Sequence, residues 1–349
     1  MSEPDVIQLP AEWAPQSGVM LTWPHAHSDW QPLLKRVEPV FCNIAYHVAR
    51  HERVLIVCWD ARHQAHVRAQ LDERGVNPGR VAYHLVPSND SWARDHGPIT
   101  VFKQGRPVLM DFRFNGWGNK YEAKLDNAIS RQLRSLNAFG DTAIESVDLV
   151  LEGGAIDSDG QGSLLTTARC LLSPQRNPSL DKPQIEAQLK TLLGLERILW
   201  LQHGYLAGDD TDSHVDTLAR FCSADTIAYV SCEDSEDEHY DSLQGLAQEL
   251  AALRQANGEP YTLVALPLPR AIHNEDGIRL PATYANFLII NDAVLVPTYG
   301  DAQDALALQR LGQCFPERQI IAIDCRALIQ QYGSLHCVTM QIPEGVPLP

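Results

Sequence analysis

The amino-acid sequence predicts an α/β fold arranged as a radial, propeller-like array. Strand-sized apolar runs alternate with amphipathic helical stretches from one end to the other. The segments richest in reactive side chains recur about 60 residues apart, as they would if each repeat delivered one loop to a shared centre. No low-complexity tract or long Pro/Gly/Ser linker interrupts the 349 residues, so residues 1–349 are read as one domain.

Taken in order, strands are expected at Val54–Trp59, Val81–Val86, Ile99–Phe102, Pro107–Phe112, Ser163–Thr167, Ile198–Leu201 and Thr226–Val230. Further strands are expected at Thr262–Leu266, Asn286–Ile290, Ala293–Pro297, Gln319–Ile323 and Leu335–Gln341. Helical periodicity marks Leu33–Arg50, Arg62–Arg74, Lys124–Leu136, Lys182–Leu193, Ser242–Gln255 and Asp304–Cys314. The acidic stretch Glu233–Glu238 reads as a solvated loop leading into a helix. The loaded segments centre on Asp95, Glu152, His214 and Cys337, and the last interval is about twice the others. A unit around Arg270–Tyr284 is the expected carrier of the missing loop.

Composition narrows the function. A hydrophobic fraction of 44% and a charged fraction of 21% fit a globular chain. The formal charge of −16 leaves no basic footprint for nucleic acid and favours cationic ligands. No apolar run approaches the ~18 residues that span a bilayer. The opening MSEPDVIQLPAEW has no basic region ahead of an apolar core, so no signal peptide is expected. Eight cysteines are scattered without a C-x-x-C pair, mostly in apolar runs such as VLIVCW and LARFC. They read as reduced, buried thiols of a cytoplasmic protein.

One cysteine differs in setting. In GSLHCVTMQIP, Cys337 follows Gly333, Ser334 and His336 at the expected start of a strand, where small residues admit a ligand. Such a cysteine is a structural residue or a nucleophile, and the second role needs a base and an orienting acid elsewhere. GYLAGDDTDSHVDT supplies candidates, crowding Asp209, Asp210, Asp212, His214 and Asp216 together. Carboxylates this dense repel one another unless a cation joins them. Helix capping, a metal site and recognition of an organic cation all fit that density. No H-E-x-x-H, Cys/His quartet or EF-hand spacing supports the metal. On an extended segment, His214 and Asp216 would share one face. VPSNDSWARDHGPI places Asn89, Asp90, Trp92, Arg94 and Asp95 on a connection between strands. LVLEGG sets Glu152 at the end of an apolar strand, with Gly153 and Gly154 keeping its approach clear. FNGWGNKY adds Trp117, either an aromatic wall or a core residue.

WARDHGP, LEGG, GDDTDSHVD and GSLHCVTMQIP, in that order, together resemble the agmatine deiminase family of the guanidine-modifying superfamily. With Trp23-Pro24 and NFLIIN from Asn286, the resemblance covers nearly the whole chain. It implies a five-bladed, pseudo-fivefold α/β propeller, the pentein fold, with the active site on its axis. It implies Cys337 as nucleophile, His214 as general acid and base, Glu152 beside both the substrate and His214, and Asp95 and Asp216 as guanidinium clamps. The chain departs from the family at Ser213, where members often carry Gly, at Thr217, where they often carry Asn, and in the run before Cys337, which is often richer in glycine.

The expected reaction is hydrolysis of agmatine to N-carbamoylputrescine and ammonia through a thiouronium on Cys337, with no metal or cofactor. Asp90, Asp210 and Asp212 are surplus carboxylates for the distal amine, with Trp92 and Trp117 beside the methylenes. Arg94 and Arg113 would instead suit a carboxylate, and so arginine or a peptide. A metal-dependent hydrolase and a non-catalytic polyamine- or guanidine-binding protein are the other readings. The family also implies a homo-oligomer, a dimer or higher.

Overall fold

The computed structural model describes residues 6–349; residues 1–5 of the N-terminal stretch discussed above lie outside it. In chain order the strands are β1 (Ile7–Gln8), β2 (Gln16–Thr22), β3 (Arg53–Cys58), β4 (Val81–Leu85), β5 (Ile99–Lys103), β6 (Arg106–Arg113) and β7 (Ala143–Val150). They continue as β8 (Ile156–Ser158), β9 (Ser163–Thr167), β10 (Arg197–Leu201), β11 (Ala219–Ser223), β12 (Thr226–Ser231) and β13 (Thr262–Pro267). The last are β14 (Leu288–Ile290), β15 (Ala293–Thr298), β16 (Gln319–Asp324) and β17 (Thr339–Pro343).

These strands form five sheets, ordered β17-β2-β3-β4, β1-β5-β6-β7, β10-β9-β8, β11-β12-β13 and β14-β15-β16. Each repeats one pattern: an antiparallel pair, then a crossover to a parallel strand. This is the α/β pentein propeller, and the sequence spacing of about 60 residues is its repeat. The C-terminal β17 pairs with the N-terminal β2 in register Met340 to Met20, so one blade is assembled from both ends of the chain.

Local chemistry explains the elements that were legible. The helix Lys182–Leu193 begins at a capping box, Asp181 with Gln184, and ends at Gly194 with φ 69°. A Cβ on Gly194 would lie 2.0 Å from Ile7 O, so glycine also lets β1 approach. β15 is apolar and buried along its whole length, which suits a central strand. Apart from β2, a seven-residue and mostly buried strand that the sequence reading also missed, the strands the sequence did not reveal are short or polar. β8 has three residues, β7 is largely exposed at its start, and β11 buries Arg220 as its second residue. Glu233–Glu238 is a loop ahead of the helix Tyr240–Ala252, as read. No helix among the described residues is long and apolar enough to cross a membrane, and all eight cysteines are free.

Candidate active site

In each sheet the loop entering one strand of an antiparallel pair reaches a common centre. Asp95 precedes β5, Glu152 precedes β8, His214 and Asp216 precede β11, and Cys337 precedes β17. The fifth loop, ahead of β14, contributes Asn286, just beyond the segment expected to carry it. Asn286 Nδ2 donates to Asp216 O at 3.2 Å, and its Oδ1 accepts from His336 N at 2.9 Å and lies 3.4 Å from Cys337 Sγ. An asparagine in an otherwise apolar run (Tyr284–Ile290) was the available signal for it.

Two local expectations are corrected. Cys337 does not begin a strand; it lies on a turn closed by Thr339 N to His336 O at 3.0 Å, ahead of β17. Thr339 Oγ1 bonds the same carbonyl at 2.9 Å, which keeps the chain from extending earlier. His214 and Asp216 are not on an extended segment. Val215–Thr217 is a single 3₁₀ turn with His214 at its N-terminus. Both side chains still face the centre: Asp216 Oδ2 is 3.8 Å from Cys337 Sγ, and His214 Nδ1 is 3.6 Å from Asp95 Oδ1.

Asp95 is fixed by two donors, Gly154 N to Oδ1 at 3.0 Å and Trp117 Nε1 to Oδ2 at 2.9 Å. A Cβ on Gly154 would meet His214 Nδ1 at 2.6 Å and Asp95 Oδ1 at 2.8 Å, so the site requires glycine there. Glu152 is fully buried, and both its oxygens accept from Arg176 Nε, at 2.9 and 3.1 Å. Arg176 was not singled out from the sequence, because nothing around it marks it. Its Nη1 reaches Asp212 Oδ2 at 2.6 Å and its Nη2 reaches Thr211 O at 2.8 Å.

A cleft of about 310 Å³ opens over Cys337 and Asp95, walled by Trp92, Trp117, Tyr121 and Tyr332 and edged by Asp29, Asp90 and Asp210. Of the surplus carboxylates, Asp90 and Asp210 border it, the latter holding Tyr121 OH at 2.6 Å. Asp212 does not. Its carboxylate is taken by Arg176 and by Lys120 Nζ at 2.9 Å, so internal cations answer its crowding. Asp209 caps its own loop, accepting from Thr211 and Ser213 N. Arg94 and Arg113 also stand away from the cleft. Arg94 is buried against Glu12, and Arg113 pairs with Asp148 at the surface.

Backbone strain gathers at the rim. Trp117 has φ 54°, Asp212 67°, Ser213 65° and Tyr332 66°, left-handed values that disfavour side chains other than Asn and Asp.

The charges oppose one another. Burial pushes the Cys337 thiol well above its ordinary range, and Asp216 and Asp95 add to the rise. Burial works against protonation of His214, but Asp95, Cys170 and Glu152 hold it well above the usual imidazole value. Burial lifts Asp95 to about 6, with His214 opposing. Burial also acts to lift Asp216, but the His336 hydrogen bond and charge overcome it and hold the carboxyl low. These directions favour a protonated thiol at Cys337 and a protonated imidazole at His214. Glu152, Cys170 and His214 offer donor atoms within 4.8 Å of one another, a set that could ligate a metal. Arg176 on both Glu152 oxygens places a competing cation there.

Residues 8–343 match the family model of Porphyromonas-type peptidyl-arginine deiminase. The chain belongs to this family. The agmatine deiminase of Stutzerimonas stutzeri is 32% identical over 97% of this chain and 96% of its own. The C. jejuni agmatine deiminase, solved with substrate bound, is 37% identical with a TM-score of 0.91, covering 99% of both chains. A Porphyromonas gingivalis structure provisionally named an arginine deiminase is 50% identical with a TM-score of 0.90, covering 97% of this chain and 99% of its own. The relatives' names agree on guanidine deimination and differ on what carries the guanidine.

Proposed function

We propose that this chain is a cysteine-dependent hydrolase that deiminates agmatine to N-carbamoylputrescine and ammonia. The observation that carries the choice of substrate is the sign of the cleft: carboxylates border it and no Lys or Arg lines it. Agmatine presents a guanidinium at one end and an ammonium at the other, and each end meets negative charge. The α-carboxylate of arginine, or the backbone of a peptide, would enter the same acidic rim without a cationic partner.

The guanidinium lies between Asp95 and Asp216, which accept its N–H groups and set its carbon in line with Cys337 Sγ. Its positive charge offsets the two carboxylates that keep the thiol protonated, so the thiol proton is released to solvent as substrate binds. The thiolate attacks the guanidinium carbon. His214, an imidazolium, protonates the departing nitrogen, ammonia leaves, and a thiouronium remains on sulfur. Neutral His214 then takes a proton from water, the hydroxide adds to the same carbon, the C–S bond breaks, and the hydroxyl proton passes to the departing sulfur, which releases the neutral ureido product and restores the thiol and the imidazolium. Glu152, held by Arg176, orients and polarises His214. Trp92 and Trp117 flank the methylenes, and Asp90 and Asp210 meet the amine. The reading treats residues 1–349 as one catalytic domain of a cytoplasmic, homo-oligomeric enzyme working without metal or cofactor.

Ureido product is measured for the wild type and Cys337→Ala with agmatine, arginine and a peptidyl-arginine. Turnover of agmatine at least 100-fold above the others, abolished in the alanine variant, is expected. Equal turnover of arginine would overturn the substrate assignment, and activity in Cys337→Ala would overturn the mechanism.

A further inference from the structure

Beneath Cys337, on the side away from the cleft, a chain of buried polar contacts runs to a residue from the other end of the sequence. His336 is fully buried between two carboxylates. Its Nδ1 lies 2.8 Å from Asp216 Oδ2, the same oxygen that faces Cys337 Sγ at 3.8 Å. Its Nε2 lies 3.0 Å from both oxygens of Glu12. Glu12 comes from the segment joining β1 to β2, and it also takes Arg94 Nη1 at 3.1 Å, Arg220 Nη2, and Gln341 Nε2 at 3.0 Å. It borders a small cavity on that face, shared with Arg94 and Asp157.

We propose that Glu12 is a positioning residue for the Cys337 centre, acting through His336 and Asp216 and setting the charge beneath the sulfur. The proposal rests on Cys337 being the nucleophile. Arg94 and Arg220 are both buried, and Glu12 is the carboxylate they share. Arg94 has no other ion pair among the described residues. Arg220 has Asp157 at 3.2 Å, a carboxyl that burial lifts to about 7, which makes it a weaker counter-charge. Glu12 therefore holds the field of two guanidiniums away from the thiol. By engaging Nε2, it also fixes the ring with Nδ1 turned toward Asp216, the carboxylate that must stay ionised and aligned for the guanidinium.

The groups facing Cys337 fix the sign of the effect. Asp216 and Asp95 oppose thiolate, and His214 favours it from the cleft side. Asn286 is neutral. Beneath lie His336, Arg94, Arg220, Asp157 and Glu12; burial and the two guanidiniums hold the His336 imidazole below its usual value against the pull of Glu12, so it adds little positive charge. Removing the Glu12 charge leaves a net positive field. With the charge removed one imidazole ring beyond Asp216, and an effective dielectric near 20, the thiol should become more acidic by roughly one pKa unit.

The experiment compares wild type, Glu12→Gln and Glu12→Asp by the pH dependence of Cys337 alkylation with iodoacetamide, read by peptide mass, alongside kcat and KM. Glu12→Gln should lower the alkylation midpoint by about one unit and reduce kcat at least tenfold with KM within threefold. Glu12→Asp should return the midpoint to within about 0.3 units of wild type, because it restores the charge. A folded Glu12→Gln with wild-type midpoint and kcat overturns the proposal, since a merely structural glutamate would move stability alone. Should Glu12→Gln not fold, His336→Asn leaves Glu12 on its arginines, keeps a donor toward Asp216 and cuts the link. A tenfold fall in its kcat supports the proposal, and wild-type kcat and pH profile overturn it. Wild-type Cys337 that resists alkylation would instead defeat the nucleophile assignment, a separate result.

Discussion

Replacing Ser213 by glycine should stabilise the protein without slowing it. Ser213 has φ 65°, and its hydroxyl is buried with no partner. A side chain in the left-handed region costs about 1–2 kcal/mol, and an unsatisfied buried hydroxyl costs about 1–3 kcal/mol. Glycine removes both and gives back about 1 kcal/mol through the greater freedom of the unfolded chain. The bonds that place the residue are backbone bonds, Ser213 N to Asp209 Oδ2 at 2.7 Å and Thr167 Oγ1 to Ser213 O at 2.7 Å, and glycine keeps them. The net gain should be about 1.5 kcal/mol. With an unfolding entropy of roughly 0.7 kcal/mol/K for a chain of this length, that raises Tm by about 2 °C. Equilibrium urea unfolding should show a higher midpoint at unchanged slope, with kcat on agmatine within twofold. An unchanged or lower midpoint would refute the claim that strain and an orphaned hydroxyl reside at this position.

Three further outcomes follow from the same contacts. Gly154→Ala should fold normally but lose at least about 100-fold in kcat, because its methyl would push against His214 Nδ1 and Asp95 Oδ1; steady-state kinetics beside a melting curve checks this. Arg176→Met should cost about 3–5 kcal/mol by leaving Glu152 buried without its cation, visible as a large loss of urea midpoint together with activity. Glu52 is buried, with Oε2 accepting from Asn291 N at 2.9 Å and Oε1 unpartnered, and burial lifts its carboxyl to about 7. The folded state therefore holds this proton more tightly than the unfolded chain. The stabilisation is present below about 4.5 and lost as pH rises through 7, on the order of 2–3 kcal/mol. Glu52→Gln should flatten that dependence when urea midpoints at pH 5 and pH 8 are compared.

The sequence carried the repeat and the proposed reacting groups because both leave local marks. Helices with caps or strong periodicity, such as Lys182–Leu193 and Asp304–Cys314, fall where the pattern puts them. Cys337, His214, Glu152, Asp95 and Asp216 stand in runs of small and polar residues that no core segment would hold, and the structure brings them together. Arg176 and Glu12 had no such mark, whereas Asn286 interrupts an apolar run and His336 stands beside Cys337 with nothing to show what either would touch. Arg176, Asn286, Glu12 and His336 each act through a contact made across at least 24 positions of chain. A buried ion pair leaves nothing in either partner's neighbourhood to betray it. Asp212 misled for the same reason, since the cations that claim it come from distant loops.

The left-handed residues at the rim are not equivalent, and the contacts separate them. Trp117 and its neighbours Gly116, Gly118 and Asn119 all have positive φ, and that turn delivers the indole N–H to Asp95 while its ring walls the cleft. Straightening it would withdraw a hydrogen bond from Asp95, the proposed guanidinium clamp, so strain there is tied to the proposed site. Asp212 tolerates its conformation as aspartates do, and its carboxylate links Arg176 to Lys120. Ser213 contributes only backbone bonds, and its side chain reaches nothing. Its strain is thus separable from the chemistry beside it. A Ser213→Gly variant that gained stability but lost turnover would place the hydroxyl in the reaction and reverse this distinction.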